Sequence, residues 1–201
     1  MSNVTFELSN YSLEQIKNDY YLYDLCVNDT AQLENIAITI QSLYFYHNIL
    51  IAANYPKTIE SSLCRTIIIM SYSILEAIVI SVGYKIQKRC QYCRHACAYY
   101  SNSMFKDEKT HNNEMRAFQN ADEYLRKVGI INLTAQARAY YDDFRDNRNN
   151  VHLARNSEVI SKDHAYTRQE CNSAIEFLQS IIELIHNNFL EFCQTYGCFG
   201  R

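Results

Sequence analysis

Between Cys171 and Phe192 apolar side chains recur at spacings of three and four, through Ile175, Leu178, Ile182, Ile185 and Phe189. That is the stripe of an amphipathic helix with one face in a core. Thr167 and Glu170 precede it as a capping box, in which a hydroxyl and a carboxylate satisfy orphan amides of the first turn. Ser12 with Gln15 repeats the signature and opens a first helix, predicted to run through Leu22, Leu25 and Cys26. A second helix is predicted from about Asp29 through Leu33, Ile36, Ile40, Leu43, Ile49 and Leu50. It stops before Pro56, because the residue preceding a proline is pushed out of the α region. A third begins at Pro56, passes through the apolar stretch Thr66–Val82 and has Lys85–Tyr100 as its continuation.

Residues 101–113 and 156–166 are polar and aperiodic and read as loops. A fourth helix is expected from about Glu114 to Val128, ended by Gly129, a residue that accepts the left-handed conformation after a helix. Asn132 or Thr134 caps a fifth, and the stripe from Cys171 makes about six. The pattern therefore predicts an all-α helical bundle, one domain over residues 1–201. Composition agrees: four glycines and one proline in 201 residues are too few for the tight turns of sandwiches, barrels or Rossmann folds.

The formal net charge of −3 excludes a broadly basic protein that coats nucleic acid, so contact with RNA or DNA has to be a local patch. The N-terminus shows no basic region followed by an apolar run, and a cytoplasmic location is expected. Eight cysteines then read as thiols or metal ligands. Thr66–Val82 spans 17 residues and carries Glu76 and three serines, short of the roughly 20 apolar residues of a membrane span. A buried central helix, with no membrane contact, is the expectation.

The basic patch lies in residues 134–156. Ala137, Tyr140, Phe144, Val151 and Ala154 fall on one helical face, expected to pack inward. Beside it, at spacings of three and four, stand Arg138, Tyr141, Arg145, Arg148, His152 and Arg155. An imidazole titrates near neutral pH and can take a proton from a ribose 2′-hydroxyl. A guanidinium offers a planar fork of donors to a phosphate gaining charge. Together they suit metal-independent RNA cleavage by attack of the 2′-oxygen on the adjacent phosphorus. Asp142, Asp143 and Asp146 stand nearby to orient them. A solvated face of Arg–Asp pairs would carry the same residues.

The run from Phe144 to Leu153, with Arg145, the polar follower Asp146, six intervening residues and His152, resembles the signature of HEPN domains. Arg148-Asn149 and the Val-His-Leu ending are also similar to that family, as is the helix around Ser71–Ala77, whose Glu76 stands where members often carry an acidic or hydroxyl residue near the site. Arg89 and His95 match the spacing too, but Arg89 is followed by Cys90, which is not a polar follower. The resemblance covers about residues 30–195. It implies an all-α bundle that forms a homodimer and brings two motifs together, acting as an endoribonuclease in toxin–antitoxin systems or phage defence. Arg145 and His152 would be catalytic, with Asp146, Arg148, Asn149, Tyr141, Arg155 and Glu76 supporting or binding RNA. An antitoxin or regulatory protein would be a partner, and no cofactor is called for. The alternative within the family is a non-catalytic module that binds RNA, nucleotide or protein. Ala154 stands where members regulated by nucleotidyl transfer carry tyrosine, so that regulation is not implied.

One other constellation has ligand spacing. Cys90, Cys93 and Cys97, with His95 between them, could hold zinc. The same spacing is also one buried helix face, on which cysteine packs as a small hydrophobe.

Overall fold

The computed structural model describes residues 11–26, 30–92, 118–142 and 166–195. Among them seven helices and no strand occur, so the all-α bundle is the observed architecture. They are α1 (Leu13–Asp19), α2 (Leu22–Leu25), α3 (Thr30–Ala52), α4 (Lys57–Tyr92), α5 (Phe118–Lys127), α6 (135–142) and α7 (Arg168–Thr195). One buried apolar cluster draws members from all seven.

Local chemistry sets the ends. Ser12 accepts from the Gln15 amide while the Gln15 side chain accepts from the Ser12 amide, closing the box at α1. Thr167 and Glu170 do the same at α7, at 2.7 and 3.2 Å. The Pro56 carbonyl accepts the first bonds of α4, from Ile59 and Glu60. Past α5, Gly129 has φ +82 and donates to the Arg126 carbonyl, and Ile130 donates to that of Leu125. This pair of bonds is the Schellman ending. Thr134, not Asn132, caps α6: its Oγ1 accepts from the Ala137 amide.

The predicted first helix is divided. Tyr21 stands in the left-handed region at φ 55 and separates α1 from α2. Ile16 and Tyr20 lie a turn apart, but Leu22, Leu25 and Cys26 are buried as well. No single helix could turn all five to one side at 100° per residue. The kink resolves the conflict. The Tyr21 ring then stacks on His186, centroids 4.0 Å apart. Lys85 donates to the Asp24 and Cys26 carbonyls, supplying partners that the end of α2 lacks.

α4 is the axis of the bundle. Ile67, Ile68, Ile74, Leu75, Ile78, Val79 and Val82 are buried along one broad face of it, and Ile69, Met70, Ala77 and Ile80 on its other sides are half-buried. Among the described residues it alone is long and apolar enough to cross a membrane, with mean hydropathy 1.9, and 61% of that stretch is covered by the rest of the fold. Arg168 and Tyr166 bond to Glu60 and Ser61 at one end, and Lys85 sits over the Phe189 ring at the other, so α7 runs alongside α4 in the same direction. α3 lies antiparallel to α7, as the pairs His47–Asn172 and Tyr44–Gln179 require.

Candidate functional site

α6 is the entry to the basic stripe. Its anchor is a single residue, Tyr141, which is 1% exposed. Its hydroxyl donates to Asp122 Oδ1 at 2.9 Å. Asp122, itself buried on α5, pairs with Arg126 Nε one turn later at 3.1 Å. Arg126 also reaches Asp142 at 3.2 Å, and its guanidinium lies 4.9 Å from the centre of the Tyr141 ring. Two carboxylates, one guanidinium and one phenol thus fasten α6 to α5. A phenol buried in this way must find such an acceptor.

The charges move with the geometry. Burial, and then Asp122, push the Tyr141 phenol well above the ordinary tyrosine range, so it stays protonated. Burial works against the Arg126 charge, but the bonds and fields of Asp122 and then Asp142 more than offset it, and the guanidinium is held more firmly protonated than usual.

The inward face of this helix differs from the one predicted. Tyr140, expected inside with Ala137, is 39% exposed and rests its ring edge-on against Phe177 at 4.8 Å. Tyr141, expected beside the arginines, is the buried one, and Arg138 is exposed. Apolar periodicity cannot separate adjacent tyrosines. The choice was made by a polar partner on another helix, Asp122.

α4 also packs near this end. Tyr72 is buried, meets Phe118 edge-on at 5.6 Å and lies near enough to weigh on the Tyr141 phenol. Glu76 is one helical turn further along α4 and half-buried. Arg145, Asp146, Arg148, Asn149, His152 and Arg155 lie outside the described residues, as do Cys93, His95, Cys97 and the side chain of Cys90. Among the described residues no group of three or more His, Cys, Asp or Glu side chains could hold a metal. His186 stacks on Tyr21 and bonds Asp24 at 2.9 Å, a structural placement.

Asp122 and Arg126 had no part in the sequence-based expectation. Their i,i+4 spacing beside Ala121 and Leu125 was the available signal, an ion pair bordering an apolar face. No protein-family model, no curated protein and no solved structure matches this chain.

Proposed function

We propose that the protein is a metal-independent endoribonuclease of HEPN type, working as a homodimer, with Arg145 and His152 as its catalytic pair. The observation that supports this most is the anchoring of α6 through Tyr141. Arg145, Arg148 and His152 follow it by four, seven and eleven residues, the spacing of one helix face. Tyr141 itself is turned toward α5 and Tyr72 of α4. Glu76, one turn from Tyr72, is the acidic group assigned by this reading to orient the pair.

In the reaction His152 takes the proton of a ribose 2′-hydroxyl as the 2′-oxygen bonds to the adjacent phosphorus. Arg145 holds the charge that gathers on the phosphoryl oxygens. The bond to the 5′-oxygen breaks, that oxygen receives a proton, and the products are a 2′,3′-cyclic phosphate and a 5′-hydroxyl. RNA is the partner this chemistry needs, and an antitoxin or other regulatory protein is the partner a cytoplasmic nuclease of this kind needs.

The test is cleavage of total RNA in EDTA by the wild type, Arg145→Ala and His152→Ala. Each substitution is expected to lower the rate by about 10²–10⁴, the usual contribution of a positioned proton-transfer group. Equal background in all three sinks the nuclease reading. Retained RNA binding with no cleavage by any of them supports instead the non-catalytic module.

A further inference from the structure

Where the Tyr20–Tyr21 kink meets the middle of α3 and α7, the surface closes into a pocket of about 210 Å³. Its walls are phenolic. Tyr11, Tyr20, Tyr21 and Tyr44 all line it. Its charged residues are Asp19 and Glu183, both exposed carboxylates that no described cation pairs with. The nearest lysine along α1, Lys17, is committed to Glu34.

The rings are held before any ligand arrives. Tyr44 stacks on Tyr11 at 4.4 Å with planes 4° apart and meets Tyr20 edge-on at 6.4 Å. The Tyr20 and Tyr44 hydroxyls are 2.6 Å apart, and Gln179 Nε2 donates to Tyr44 at 2.9 Å. Burial and then the bond to Tyr44 push the Tyr20 phenol well above its ordinary range, so this wall is neutral. Tyr21 is fixed by its stack on His186 and by the left-handed backbone, a conformation that residues with a side chain seldom adopt. Strain of this kind persists where the surroundings over-determine it, and it clusters at ligand clamps.

The lining selects by charge. Anions meet two carboxylates and a wall of phenol rings. A neutral ligand can offer those carboxylates a hydrogen bond but no charge. A cation gains from both, since ring faces and carboxylates attract positive charge together. The volume is below the roughly 300 Å³ at which pockets for drug-sized ligands begin, so one compact head group fills it. We propose that this pocket binds a small organic cation, an alkylammonium or quaternary ammonium group. None of its lining residues belongs to the basic stripe, and the proposal does not depend on the nuclease reading.

The test is calorimetric titration of the full chain with choline, with n-butylammonium, and with 3,3-dimethyl-1-butanol, the uncharged carbon isostere of choline, all at matched ionic strength. Saturable binding of a cation and at least tenfold weaker binding of the isostere are expected, a ratio of the size that cation–π and carboxylate attraction supply. Choline bound more tightly than n-butylammonium identifies a quaternary head group, and the reverse order a primary amine. The double variant Asp19→Asn, Glu183→Gln alters only exposed side chains and should weaken the cation by about tenfold while leaving the melting temperature in place. Tyr44→Phe keeps the ring and should keep binding. No saturable heat with either cation, equal binding of the isostere, or a double variant that binds as well as the wild type each overturns the proposal. Arg145→Ala should bind the cation normally, which separates the two sites.

Discussion

Asp122→Ala is the sharpest probe of what holds α6 in place. The carboxylate is 6% exposed and serves two donors, the Tyr141 hydroxyl at 2.9 Å and Arg126 Nε at 3.1 Å. Removing one partner of a buried ion pair costs about 3–5 kcal/mol. Arg126 keeps Asp142 at 3.2 Å and 20% of its side-chain surface in water, so the ion-pair share falls to about 2 kcal/mol. The orphaned hydroxyl of Tyr141, a residue 1% exposed, adds about 1–2 kcal/mol. The expected loss is about 3–4 kcal/mol, a large part of the roughly 5–15 kcal/mol that a domain possesses. Tyr141→Phe leaves the Asp122–Arg126 pair intact and should cost about 1–2 kcal/mol. Because both changes remove the same bond, the double variant should fall short of their sum by about 1 kcal/mol or more. Urea unfolding of the four proteins, followed by far-ultraviolet circular dichroism, measures all three quantities. A loss under about 1 kcal/mol for Asp122→Ala, or an additive cycle, would refute the account.

Three further outcomes are expected. Gly129→Ala should lower stability by about 1–2 kcal/mol although nothing lies within 4 Å of the added Cβ, because the whole cost is the left-handed backbone at φ +82; an unchanged urea midpoint would contradict this. In a variant with Cys90, Cys93, Cys97 and Cys198 replaced by serine, the four buried thiols Cys26, Cys64, Cys171 and Cys193 should react with Ellman's reagent at pH 8 only after denaturant is added, and immediate titration would disprove their burial. Burial lifts the Cys26 thiol to about 11, and burial followed by the neighbouring Cys64 lifts Cys171 to about 12, both from an ordinary 9.0. A folded value above the unfolded one means that stability is whole below pH 9 and declines as pH rises toward 11 and 12, by up to about 1.4 kcal/mol per pH unit for each thiol; a melting temperature flat between pH 9 and 11 would overturn it.

The elements that the sequence announced are those whose causes are local. A capping box needs residues three apart, and both boxes stand where Ser12–Gln15 and Thr167–Glu170 put them. Gly129 and Pro56 act on their immediate neighbours, and both helix boundaries follow. The stripe from Cys171 to Phe192 is buried at every position named from it. What stayed hidden depends on partners far along the chain. The break at Tyr21 is tied to His186, and the choice of Tyr141 over Tyr140 is tied to Asp122. Likewise the tyrosine pocket joins residues from α1, α3 and α7 that no spacing rule connects. The candidate catalytic pair is the reverse case: legible as a motif in residues 145–152, which lie outside the described part of the fold.

Tyr141 shows how position in a motif and role in chemistry come apart. It shares the spacing of Arg145 and His152, and the resemblance makes it a supporting residue. Yet its hydroxyl is buried, already donates to a carboxylate, and is held protonated by burial and by that charge. A group so placed cannot give its proton to a substrate without first abandoning Asp122. Its part is to position the helix. Tyr141→Phe should therefore leave the proposed cleavage rate within about twofold at 25 °C, in contrast to the 10²–10⁴ expected for His152→Ala. The stability loss should appear instead as an earlier onset of thermal inactivation. If the phenylalanine variant stays folded at 25 °C and still loses cleavage a hundredfold, the phenol contacts substrate, and the buried arrangement with Asp122 is not the one in which the reaction takes place.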